Sequence, residues 1–79
     1  MKLTTILTER QTEIFMLIVQ GYSPTEIAKT GNVSLRSVFK VLNKVYAKLE
    51  ARNAVEAIGI CLRHGLLSAK DIKRKETGA

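Results

Sequence analysis

An all-α fold of four packed helices is what this 79-residue sequence predicts, on three observations. Cap residues stand at four separate places, Thr8, Ser23, Ser34 and Asn53, each ahead of a stretch with apolar residues at three- and four-residue steps. Glycines close three of those stretches, at Gly21, Gly31 (with Asn32 after it) and Gly65. The sequence shows no strand-type alternation, internal repeat or low-complexity tract.

Residues 1–7 read as a lead-in. Thr8 and Gln11 form a capping-box pattern, in which each side chain satisfies the other residue's backbone N–H. A helix follows over about Glu9 to Gln20, with Ile14, Phe15, Leu17, Ile18 and Val19 as a wide inward stripe. Gly21 stops it, and Tyr22 is placed to cover the corner. Ser23-Pro24-Thr25-Glu26 opens a second helix over about 24–30. Serine caps, proline suits the first helical position, and Glu26 stands where a capping-box partner reaches back. Ile27 and Ala28 supply a buried face, and Val33 is placed to pack beneath the turn. Gly31-Asn32 tolerates the left-handed backbone that a sharp stop needs.

Ser34 caps a third helix over about 35–49, with Leu35, Val38, Leu42, Val45 and Leu49 as its buried seam. Ala51-Arg52 leads to Asn53, and Glu56 gives a third box pattern. The fourth helix runs from about Ala54 to His64, Gly65 ends it, and Leu66-Leu67 folds back over the core. A short helix is expected over Ala69 to Arg74. The expected division is a lead-in over 1–7, a folded domain over 8–67 and a basic tail over 68–79.

Residues 23–49 carry the functional signal. A short capped helix, a tight turn and a second capped helix form the helix-turn-helix pattern, whose second helix enters the DNA major groove. The side of that helix away from Val38, Leu42 and Val45 carries Arg36, Phe39, Lys40, Asn43 and Lys44. Arginine and lysine reach guanine acceptors, asparagine pairs with adenine, and an aromatic ring lies against a thymine methyl. These five are the candidate base contacts. A solvated basic surface is the competing reading, and Phe39 reads equally as a docking residue for another protein. Ser23, Thr25, Ser34 and Ser37 cluster at helix starts, where hydroxyls and free N–H groups suit phosphate oxygens in addition to capping. Lys48 is either a further backbone contact or a solvated side chain. Lys73-Arg74-Lys75 reads as a tail that adds non-specific attraction.

Charge fits an anionic partner. Thirteen Lys+Arg against seven Asp+Glu leave a net charge of +6 and a pI near 9.8. Nucleic acid comes first, a membrane surface second, and plain solubility is the bland alternative. The apolar run Ala57 to Leu62 is far short of the ~20 residues that span a bilayer. Met1 to Leu7 lacks the apolar run of a signal peptide, so no membrane partner is expected. The single cysteine, Cys61, makes neither an internal disulfide nor a multi-thiolate metal site, which fits a reducing cytoplasm. His64 is the single histidine. With no glycine-rich phosphate loop, metal-ligand cluster or nucleophile beside a base, no catalysis, metal or cofactor is expected.

The helix over 54–64 is apolar on more sides than one core needs. Ala57, Ile58, Cys61 and Leu62 are assigned inward, which leaves Val55 and Gly59, four apart, as a small outer patch. Glycine inside a helix costs about 1 kcal/mol against alanine. Close approach of a symmetry-related helix would account for it, and Val55 and Gly59 are the candidate dimer contacts. A glycine tolerated in a well-packed helix is the alternative.

The chain resembles the GerE/LuxR-type DNA-binding domain over about residues 6–67. The residues that carry the likeness are Leu7-Thr8-Glu9-Arg10, Glu13-Ile14, Gly21-Tyr22-Ser23, Glu26-Ile27-Ala28, Val33-Ser34, Ser37-Val38, Val45, Lys48-Leu49 and Asn53 with Glu56-Ala57. No single piece is specific, but the ordered set is. The resemblance implies four helices, major-groove reading by the third and dimerisation through the fourth. It places base contacts on Phe39, Lys40 and Asn43. The family often has lysine where Phe39 stands, histidine where Val41 stands, leucine where Gly31 stands and a basic residue near Thr25. The expectation is a sequence-specific DNA-binding transcription regulator, acting on double-stranded DNA as a homodimer with half-sites about one helical turn apart. The alternative is a protein-interaction module whose face around Leu35, Phe39 and Val41 binds a regulator or an RNA polymerase subunit.

Overall fold

The computed structural model describes residues 2–72. Five α-helices follow in order, α1 (Leu3–Ile6), α2 (Glu9–Val19), α3 (Pro24–Gly31), α4 (Leu35–Leu49) and α5 (Ala54–Arg63), then one 3-10 turn over Ala69–Asp71. No strand occurs among the described residues.

The stretch expected as a plain lead-in holds the extra helix. Its single turn is too short for a periodic pattern to reveal. It is kept in place because Leu3 and Leu7 drop into the core. The box at the start of α2 closes both ways: Gln11 N–H donates to Thr8 Oγ1 at 3.1 Å, and Thr8 N–H donates to Gln11 Oε1 at 3.0 Å. The box at the start of α3 does the same through Ser23 and Glu26.

The stop of α3 differs in one detail. Gly31 is the last helical residue, and Asn32 alone takes the left-handed conformation, with φ 53°. Asparagine accepts that region because its short polar side chain bonds locally. Val33 N–H then reaches back to the Ala28 carbonyl at 3.0 Å, and Val33 packs under the turn as expected. Ser34 caps α4 through the Ser37 N–H at 3.1 Å. The far end of α4 closes on Glu50 with φ 56°, a left-handed residue that no glycine or asparagine signalled.

At α5 the third box is only half closed. Glu56 N–H donates to Asn53 Oδ1, but the Glu56 carboxylate accepts from Arg52 N–H at 2.9 Å, one residue before the cap. Gly65 turns the chain with φ 71°, and the N–H groups of Leu66 and Leu67 both donate to the Cys61 carbonyl. Leu67 is thereby folded back into the core. Of the helix expected over Ala69 to Arg74, the described residues hold one turn, Ala69–Asp71, with Ser68 N–H donating to Asp71 Oδ2 at 2.8 Å. The basic run Lys73-Arg74-Lys75 lies outside the described residues.

The core has two lobes with α4 between them. One gathers Leu3, Leu7, Phe15, Val19, Val45, Leu49, Ala57, Cys61 and Leu67. The other gathers Ile14, Ile27, Ala28, Val38 and Leu42. Val41 and Tyr46 pack against both. Burying each large apolar side chain is worth about 1.5–3 kcal/mol, so the rotation of α4 about its axis is strongly fixed. Two residues assigned inward are half out. Leu35 lies in the first turn of α4 at the edge of the buried stripe, and Leu62 is one helical step round from the buried Cys61; each is 41% exposed.

Candidate nucleic-acid interface

Because Val38, Leu42 and Val45 are sealed at 0–1% exposure, the opposite side of α4 must face out. All five candidate base contacts, Arg36, Phe39, Lys40, Asn43 and Lys44, are exposed there. Helical steps of three and four sort the helix surface into three stripes. Arg36, Lys40 and Asn43 run along the outermost line. Leu35 and Phe39 form an apolar pair on one flank, the latter 46% exposed. Ser37, Val41, Lys44 and Lys48 occupy the other flank.

That last flank faces the first turn of α2. The Lys48 ammonium donates to Gln11 Oε1 at 2.8 Å, so the side chain expected to be solvated or to reach DNA is held by the protein's own amide. One turn earlier, Ser37, Lys40, Val41 and Lys44 line a shallow groove of about 250 Å³ together with Arg10. Sequence reading did not single out Arg10 as a contact. Its positive charge was visible, but the 26 residues separating it from Ser37 hid the partnership. Val41, offered as part of an exposed docking face, is half-buried between the core lobes and forms the floor of this groove.

The hydroxyls divide between two helix starts. Ser23 and Thr25 open α3; Ser34 and Ser37 open α4. Ser23 and Ser34 serve as caps, and the Ser34 and Ser37 hydroxyls lie 2.9 Å apart, so these two already hydrogen-bond each other. Thr25 is exposed beside them in sequence.

The helix α5 presents Val55 at 82% exposure. A Cβ built on Gly59 would meet nothing within 4 Å among the described residues, so none of these demands a glycine there. Cys61 is fully enclosed, and burial pushes its thiol pKa up, away from the reactive thiolate. Burial likewise raises the Tyr46 hydroxyl. Among the described residues no group of three His, Cys, Asp or Glu side chains is placed to hold a metal ion, and no helix is long and apolar enough to cross a membrane.

The family pattern of bacterial regulatory proteins, luxR family, matches residues 5–61, most of the chain. The chain belongs to the luxR family. This luxR-family domain is 34% identical over 62 residues to the response regulator protein VraR of Staphylococcus aureus, with the same figures for VraR of Staphylococcus saprophyticus. Each match covers 78% of this chain and 30% of the relative, so the chain spans about a third of the length of these curated relatives. A crystal structure of a Vibrio cholera VqmA–ligand–DNA complex shares its fold, with a TM-score of 0.70 and 28% identity over 87% of this chain and 31% of that one. The luxR-family domain is thus of the helix-turn-helix class that binds DNA in transcription regulation.

Proposed function

We propose that this chain recognises specific sequences in duplex DNA by laying α4 in the major groove, and that it regulates transcription by binding alone. The observation that carries this is the outermost line of α4. Arg36, Lys40 and Asn43 stand exposed on a helix whose opposite side is locked into two core lobes. Their chemistry matches guanine and adenine edges, and the exposed Phe39 beside them has an aromatic ring that suits a thymine methyl. Thr25 and Ser37, with Ser23 and Ser34 at the two helix starts, supply hydroxyls and N–H groups for phosphates. Lys48 contributes charge from the Gln11-tied end of the helix.

One module of this size buries too little surface for tight specific binding, which supports a homodimer on two half-sites. The exposed Val55 and the open Gly59 give α5 a surface that a second copy would cover. The setting is the cytoplasm, where bacterial DNA is reached, and RNA polymerase or another regulator is the further partner. The decisive experiment is selection of bound fragments from random duplex DNA. Enrichment of a defined motif is expected, and recovery of unenriched sequence would defeat the reading.

A second reading has its own observation, the exposed apolar pair Leu35 and Phe39. On it, the same scaffold docks on a protein. Phe39→Ala that abolishes a protein contact while DNA affinity persists would favour that reading.

A further inference from the structure

We infer that the groove between α2 and α4 is a clamp for a backbone phosphate of the bound duplex, with Arg10 as its far jaw and Lys44 as its near one. This rests on the DNA-binding reading above. It adds Arg10, and it moves Lys44 from reading bases to holding phosphate.

The groove is lined by Arg10, Ser37, Lys40, Val41 and Lys44. Three of the five are cations, one is a hydroxyl, and none is a carboxylate. Arg10 stands exposed in the first turn of α2, and Lys40 and Lys44 lie one turn apart on α4. Val41 gives the floor an apolar base, wedged against both core lobes. Three cations brought together repel one another, and such an arrangement is stabilised by an anion placed among them. The guanidinium offers two parallel N–H donors that suit two oxygens of one phosphate. The Lys48–Gln11 bond, on the same flank of α4, fixes how that flank meets α2. Lys44 is therefore aimed toward α2, off the outermost line that meets base edges.

Phosphate contacts position a protein without reading sequence. Each phosphate neutralised contributes about 0.9 to the slope of log affinity against log salt. The experiment is fluorescence-anisotropy titration of the full chain on a random-sequence duplex of about 20 base pairs, over a range of salt. Arg10→Ala is expected to lower the slope by about 0.9 per protomer, and Lys44→Ala by a similar amount. Arg10→Lys is expected to keep the slope, because it keeps the charge. Preference between two duplexes of different sequence should not move in any of the three. DNA binding by the unsubstituted chain, with its slope unchanged in Arg10→Ala, would overturn the clamp alone. Loss of sequence preference in Lys44→Ala would also overturn it, by returning Lys44 to base reading. If the unsubstituted chain fails to bind any duplex, the DNA reading falls and the clamp falls with it.

Discussion

The Lys48 ammonium donates to Gln11 Oε1 at 2.8 Å, and the same oxygen accepts the Thr8 N–H at 3.0 Å. One nearly buried amide therefore completes the cap of α2 and tethers the last turn of α4 to it. Removing it breaks a local and a long-range bond together. Gln11→Ala is expected to destabilise the domain by about 1–2 kcal/mol, the cost of a lost cap plus one partly buried hydrogen bond. Gln11→Glu should hold stability at or above that of the original chain, since a carboxylate serves both donors and adds charge assistance with Lys48. Urea unfolding followed by circular dichroism measures both. Equal midpoints for Gln11→Ala and the original chain would show that the tether carries no weight.

The contrast between Gly31 and Asn32 yields a second prediction. Gly31 is helical, and a Cβ there would meet Val33 Cγ2 at 3.8 Å, an ordinary contact. Gly31→Ala should stabilise by about 0.5 kcal/mol, by restricting the unfolded chain and covering apolar wall. Asn32→Ala should destabilise by about 1 kcal/mol, because φ 53° is unfavourable for alanine. Opposite shifts in thermal midpoint from neighbouring residues are the expected signature. A stabilising Asn32→Ala would contradict the left-handed stop.

How far the sequence disclosed this molecule can be judged from individual residues. Thr8, Ser23 and Ser34 each sit at the cap position that their residue type implied, because capping depends on three or four consecutive residues. The limits of α4 were likewise readable from Ser34 and the Val38, Leu42, Val45, Leu49 steps. Glu50 shows where local signals fail: it closes α4 in a left-handed conformation that its residue type disfavours. Leu35 and Leu62 were misplaced because an apolar residue at the edge of a stripe looks like one at its centre. The α1 turn was missed because two leucines four residues apart do not make a period. At the interface, the exposed row Arg36, Lys40, Asn43 followed from helix geometry alone. Arg10, the Lys48 tether and the bridging position of Val41 depend on how α2 meets α4, a contact between distant segments.

Gly59 separates a partner's requirement from the chain's own. Nothing among the described residues lies within 4 Å of its missing Cβ, so Gly59→Ala should stabilise the isolated domain by up to about 1 kcal/mol through helix propensity. If a second copy of α5 approaches closely there, the same methyl group should weaken association several-fold. Val55→Glu should weaken it further, by placing a carboxylate in an apolar contact while leaving the monomer intact, because Val55 is 82% exposed. Sedimentation velocity reports association, and thermal unfolding of dilute samples reports the monomer. Gly59→Ala and Val55→Glu that both associate as the original chain does would place the dimer contact elsewhere.

The sharpest prediction falls on the outermost line of α4. Lys40 and Asn43 are exposed, three residues apart, and backed by the fully sealed Val38, Leu42 and Val45. Replacing both with alanine removes no core contact, so the unfolding free energy should stay within about 0.5 kcal/mol of the original. Discrimination between a selected duplex and a scrambled one should fall sharply, because a good base contact is worth about 1–3 kcal/mol and two would be lost. Weak binding to any duplex should persist through Lys44 and the hydroxyls at the starts of α3 and α4, since phosphate contacts carry no sequence information. Competition titrations with the two duplexes at one fixed salt concentration give the ratio directly. A double variant that still prefers the selected duplex by the original ratio would show that some other surface does the reading.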